Sequence, residues 1–169
     1  MNYFELFEIP VSLSPDKSLL KQKFYALSRQ YHPDFFTQEN EADQSEALEK
    51  ASMVNKAFKV FQKQDETIKY VLQLKGLVEE EEKYQLPPDF LMEMMELNEQ
   101  LMDAKMEQDS AGLTKLKGSV AAVQQDIYEP VKPIVEGYND ETTSTEDLLK
   151  VKEYYYKKKY LNRILATIE

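Results

Sequence analysis

Ser14-Pro15-Asp16-Lys17-Ser18-Leu19-Leu20-Lys21-Gln22-Lys23-Phe24-Tyr25-Ala26-Leu27-Ser28-Arg29-Gln30-Tyr31-His32-Pro33-Asp34 is the stretch that decides the fold of this chain. Leu20, Phe24, Leu27 and Tyr31 recur at spacings of four, three and four, which places them on one stripe of an amphipathic helix. Ser14 is the expected cap, and Pro15 at the first helical position gives up no bonded N–H. Pro33 stops the helix, because the residue before a proline avoids the α region. On the other side Lys21, Tyr25 and Arg29 follow one another every four residues and form a second, partly basic stripe.

Outward from this helix the same period persists. Asn2 to Phe7 suits a short helix ended by Pro10, and Phe35 to Asn40 reads as a loop. A long helix is expected over 41–63, its buried side marked by Ala47, Leu48, Ala51, Val54, Ala57, Phe58 and Phe61. Another over 65–75 buries Ile68, Val71 and Leu72, with Gly76 as its stop. Glu79 to Glu82 and then Leu86-Pro87-Pro88 form the clearest boundary: a solvated charge run followed by a helix interruption. Beyond it, helices are expected over 88–108, 111–128 and 144–168. The expected architecture is therefore all-α, with an N-terminal helical hairpin (1–76), an acidic and proline-containing linker (77–87) and a C-terminal three-helix bundle (88–169).

Composition narrows the function classes. Cysteine is absent and His32 is the single histidine, so no disulfide, thiolate nucleophile or Cys/His metal site can be built from this chain. No cofactor is expected. Carboxylates occur on helix faces without glycine-shaped pockets, which argues against an enzyme. Met1-Asn2-Tyr3-Phe4-Glu5 has no basic region followed by an apolar run, and no apolar stretch approaches membrane-spanning length, so a cytoplasmic protein without membrane contact is expected. Residues 1–76 hold 10 Lys/Arg against 11 Asp/Glu, and residues 77–169 hold 11 against 20. The second part, at net -9, repels nucleic acid and anionic lipid. Tyr154-Tyr155-Tyr156 and Tyr160, with Lys157-Lys158-Lys159 between them, suggest a strand-stacking surface, but Tyr154, Leu161, Ile164, Leu165 and Ile168 share one helical face and read as core. The lysines lie toward a helix C-terminus, where the dipole favours them.

Tyr31-His32-Pro33-Asp34 at the end of an amphipathic helix, preceded by Asn2-Tyr3-Phe4-Glu5-Leu6-Phe7 and followed by Asn55-Lys56-Ala57-Phe58, resembles a J-domain. The resemblance implies that residues 1–76 bind an ATP-dependent chaperone of the DnaK/HscA type and bias it toward hydrolysis. It assigns the contacts to His32, Pro33 and Asp34, with Lys21, Tyr25 and Arg29 beside them. Three features depart from the family pattern. Phe35 stands where a basic residue is usual, Tyr25 where many members carry lysine, and Gln64 and Thr67 where a proline and an arginine are frequent.

No Gly/Phe-rich linker and no CxxC repeat comes after it. Instead the chain is similar, over nearly its whole length, to the HscB type: a J-domain joined to a three-helix bundle that binds an IscU-type iron–sulfur scaffold protein. The most specific stretch is Pro88-Asp89-Phe90-Leu91-Met92-Glu93-Met94-Met95-Glu96-Leu97. At ~100° per residue Phe90, Met94, Leu97, Leu101 and Ala104 share a core face, and Leu91, Met95, Met102 and Met106 form a second, adjoining one. Periodicity leaves two readings of that second face: deeper burial with methionines as gap fillers, or an adaptable binding surface rimmed by carboxylates. The resemblance implies the latter, with Leu91, Met92, Met95, Glu96, Glu99, Asp103 and Tyr160 meeting the scaffold. The alternative is a general J-domain co-chaperone whose bundle holds another client or only stabilises the J-domain.

Overall fold

The computed structural model describes residues 1–168. Its helices are α1 (Tyr3–Phe7), α2 (Lys17–Gln30), a 3-10 turn (Pro33–Phe36), α3 (Glu41–Phe61), α4 (Gln64–Leu74), α5 (Pro88–Met106), α6 (Ser110–Tyr128), α7 (Lys132–Glu136) and α8 (Thr145–Ala166), with no strand among the described residues. The all-α expectation is met. They divide into two compact units: Met1–Leu74 together with Tyr138–Thr142, and Lys75–Gly137 together with the segment from Thr143 onward.

In the first unit α2 and α3 form the hairpin, and Phe24 stacks on Phe58 with centroids 4.0 Å apart to join them. The cap of α2 differs from expectation. Asp16, not Ser14, accepts the Leu19 N–H at 2.9 Å, and the helix begins at Lys17. Pro15 thus precedes the cap, and the carboxylate adds charge complementarity to the helix dipole. A capping box between Asn2 and Glu5 opens α1, whose Phe4 and Phe7 pack against Phe61. Tyr3 lies flat on Tyr70, and the Tyr70 hydroxyl accepts the Tyr3 N–H at 2.9 Å.

Leu48 is a correction: it is 55% exposed, although Ala47 beside it is buried. One residue advances a helix by ~100°, so Leu48 lies off the stripe that Ala47, Val54 and Phe61 define. Past α4, Gly76 takes φ +71°, the left-handed conformation that ends a helix without a side-chain clash.

The second unit is built on Phe90, Met94, Leu97 and Leu101 of α5, Val120 of α6, and Leu161 and Ile164 of α8. A short additional helix, α7, packs on α8; Pro130 precedes it and Pro133 sits in its first turn. Tyr154, Tyr155 and Tyr156 are all buried, which withdraws them from stacking on a nucleic-acid strand. Residues 77–87 are not the plain solvated linker that their composition suggests. Val78 is buried, Glu82 pairs with Lys152 at 2.8 Å, and Tyr84 lies parallel to Tyr156 with centroids 4.6 Å apart. Only Glu79, Glu80 and Glu81 of the acidic run stand in solvent. A local carboxylate run gives no sign of a partner seventy residues away, and that long-range pair is what fastens the segment.

Candidate functional site

Two surfaces carry the candidate residues, one on each unit. On the first, the end of α2 and the 3-10 turn form a single structure. His32 caps the turn: its Nδ1 accepts the Asp34 N–H at 3.2 Å, while Pro33 occupies the first position, where a missing N–H is harmless. The backbone closes through the Phe35 N–H to the His32 carbonyl at 3.1 Å. Asp34 Oδ2 lies 3.5 Å from the same imidazole nitrogen, and both side chains are more than half exposed. The loop is thus fixed by its own sequence and presents a carboxylate, an imidazole and a rigid ring to solvent.

Tyr25, Arg29, His32 and Asp34 line one open groove, together with Gln22, Ser28 and Phe35. Lys21 and Pro33 are exposed but fall outside that lining. Three groove residues, Gln22, Ser28 and Phe35, were not among the sequence candidates. Gln22, Tyr25 and Arg29 are spaced by three and four, a helical stripe that sequence periodicity reveals if polar positions are counted with the basic ones. Phe35, 70% exposed, meets His32 edge to face at 6.2 Å. An aromatic ring in this place gives the groove an apolar wall where a cation is usual.

The other departures are absorbed locally. Thr67 is fully buried, and its hydroxyl reaches the Val60 and Lys63 carbonyls at 3.0 Å each. Gln64 is the first residue of α4.

On the second unit, α5 separates its methionines sharply. Met94 is wholly buried in the core, while Met92 and Met95 are 71% and 64% exposed. Glu96, Glu99 and Asp103 stand in solvent beyond them, and Leu91 is half-buried. Tyr160 is half-buried against the core and meets the Phe90 ring edge-on at 6.4 Å. Met102 and Met106 are also exposed, so the apolar strip runs on for three further turns beyond Met95. The second α5 face is therefore surface, with Leu91 at its margin.

Among the described residues no group of three or more His, Asp or Glu side chains is placed to hold a metal ion. No described helix is long and apolar enough to cross a membrane.

Residues 86–169 match the family model described as the HSCB C-terminal oligomerisation domain. The co-chaperone protein HscB homologue of Vibrio cholerae serotype O1 is 37% identical over 127 residues, 74% of this chain and 74% of that protein. The homologue of Vibrio parahaemolyticus is 34% identical over 139 residues, covering 76% of this chain and 81% of its own. Among solved structures, human co-chaperone protein HscB superposes with a TM-score of 0.82 at 27% identity, over 99% of this chain and 80% of that one. Chaperone HscB from Vibrio cholerae gives 0.68 at 29% identity over the whole of both chains. The fold, the helix-capping His32-Pro33-Asp34 turn and this sequence similarity agree: the chain belongs to the HscB family of co-chaperones.

Proposed function

We propose that this protein is a non-catalytic adaptor of the cytoplasm that stimulates ATP hydrolysis by a DnaK/HscA-type chaperone and delivers an IscU-type iron–sulfur scaffold to it. Residues 1–76 act as the J-domain and residues 88–169 as the scaffold-binding bundle. The observation that carries the proposal is the contrast within α5, where Met94 is sealed in the core and Met92 and Met95 stand in solvent beside three carboxylates. Methionines held out of a well-packed core have no structural duty there, and a flexible thioether surface suits a protein partner.

At the chaperone end His32, Pro33 and Asp34 are the contact, with Lys21, Tyr25 and Arg29 beside them. Asp34 accepts a charge-assisted hydrogen bond from a chaperone cation, and the pre-formed turn loses little entropy on docking. Stimulation requires that these contacts be stronger in one chaperone state than in the other. At the other end Leu91, Met92 and Met95 form the apolar centre, rimmed by Glu96, Glu99 and Asp103 and flanked by Tyr160.

One reconstitution tests both ends. His32→Gln should keep its helical signal and melting temperature and lose stimulation of the chaperone ATPase. Leu91→Ala, Met92→Ala and Met95→Ala together should keep scaffold-free stimulation and lose scaffold binding. Stability should fall mainly through half-buried Leu91, whereas Met94→Ala in the core costs ~2–5 kcal/mol. Full stimulation by folded His32→Gln would remove the J-domain role, and intact scaffold binding by the triple variant would place the client elsewhere.

A further inference from the structure

Beside Tyr160 the second unit carries a feature that its overall charge disguises. The segment after the acidic turn runs along α8 and leaves a small cleft lined by Lys83, Tyr156, Lys159, Tyr160 and Arg163. Glu82 also borders it, but that carboxylate is engaged by Lys152 at 2.8 Å, and the hydrogen bond lowers its pKa. Among the described residues no carboxylate pairs with Lys83, Lys159 or Arg163. Lys159 Nζ stands 5.9 Å above the Tyr156 ring, so its ammonium is held over an aromatic floor. The helix dipole explains basic residues in the last turns of α8. It does not explain why Lys83, from a different segment, converges on the same cleft.

The cleft has a definite place in the surface pattern. Lys105 Nζ donates to the Thr167 carbonyl at 3.0 Å, which shows that α8 flanks α5 on the side of Lys105. Leu91 lies within ~40° of Lys105 around the helix, and Glu96, Glu99 and Asp103 lie ~80–140° further round. Crossing this face from α8 therefore meets cations, then Tyr160 and the apolar strip, then carboxylates.

We infer that the cleft between Lys83, Lys159 and Arg163 is a docking site for a carboxylate-bearing segment of the scaffold protein, and that it fixes the orientation in which the scaffold lies across α5. The inference rests on the scaffold-binding role of this face and adds a second, oppositely charged anchor to it. A partner that offers an acid to the cleft and a base to the Glu96–Asp103 rim is attracted at both ends. The same partner reversed meets like charge at both, which excludes that pose. In a unit of net negative charge, three converging cations without a carboxylate partner among the described residues make this cleft a place toward which an acidic group is drawn.

The test is the association rate of the full-length protein with purified IscU-type scaffold, measured at low and high salt. Lys159→Glu with Arg163→Glu should slow association about tenfold or more at low salt, with the difference shrinking as salt rises. Lys159→Gln with Arg163→Gln should fall between that variant and the parent, and retained near-ultraviolet dichroism shows that these exposed positions leave the fold intact. The triple alanine variant of Leu91, Met92 and Met95 is run alongside. If it binds like the parent, the scaffold-binding role itself fails. If it loses binding while the charge reversal associates at the parent rate, the role stands and the cleft inference is overturned. A labelled single-stranded oligonucleotide that binds the parent but not the charge reversal, with scaffold association unchanged, would overturn it in favour of a phosphate ligand.

Discussion

Thr67 is one of the positions where this chain departs from the usual J-domain pattern, and its side chain has found a complete local solution. The hydroxyl is shared between two carbonyls that other donors also satisfy, the Lys63 N–H at Val60 and the Thr67 N–H at Lys63. Thr67→Val preserves shape and strands no carbonyl, so it should cost only about 1 kcal/mol, read as a small fall in melting temperature. An unchanged melting temperature would mean the hydroxyl contributes nothing. At this scale the sequence was most legible where a residue's role is dictated by its own backbone. Pro33 has one place in a helical turn, and His32 immediately before it is confined to capping that turn. Asp16 and Ser14 were not separable, because both are good caps two residues apart and the choice depends on the path of the chain into α2.

Among elements, α5 was legible because 19 residues give the 3.6 period room to declare both faces. Whether the second face is also covered was not, since that depends on where α6 and α8 lie. The segment 77–87 was misread for the same reason: its partners, Lys152 and Tyr156, are remote in sequence. Its attachment is pH-dependent, and the sign is set by Lys152. The hydrogen bond from that ammonium lowers the Glu82 pKa in the folded state. The pair therefore contributes its full stability above the unfolded carboxylate value of about 4.3 and loses it as pH falls through the lower folded value. Between about pH 6 and about pH 3, the protection factors of amides over 79–86, taken relative to the intrinsic rate that itself slows in acid, should fall in the parent. Glu82→Gln should already exchange faster at the upper pH and respond less to acid. A parallel response in both proteins would assign the loosening to other carboxylates.

The two units part at Leu74–Lys75, ahead of the acidic and proline-containing stretch, and for the whole molecule the unequal charge along the sequence was readable from composition. That Tyr138–Thr142 belongs with the first unit was not, because a short polar loop carries no periodicity. We expect residues 1–76 alone to fold as a helical hairpin and to stimulate the chaperone without retaining the scaffold. Circular dichroism and a chaperone ATPase assay on that fragment check this, and an unfolded fragment would show that residues 138–142 are needed to complete it. The same feature bears on how the protein is born. A ribosome that has finished Leu74 must still add 63 residues before Tyr138 exists, a wait of about 3–13 s at ordinary elongation rates. If residues 1–76 fold alone, the His32-Pro33-Asp34 turn is formed during that interval, before the first unit receives its final loop.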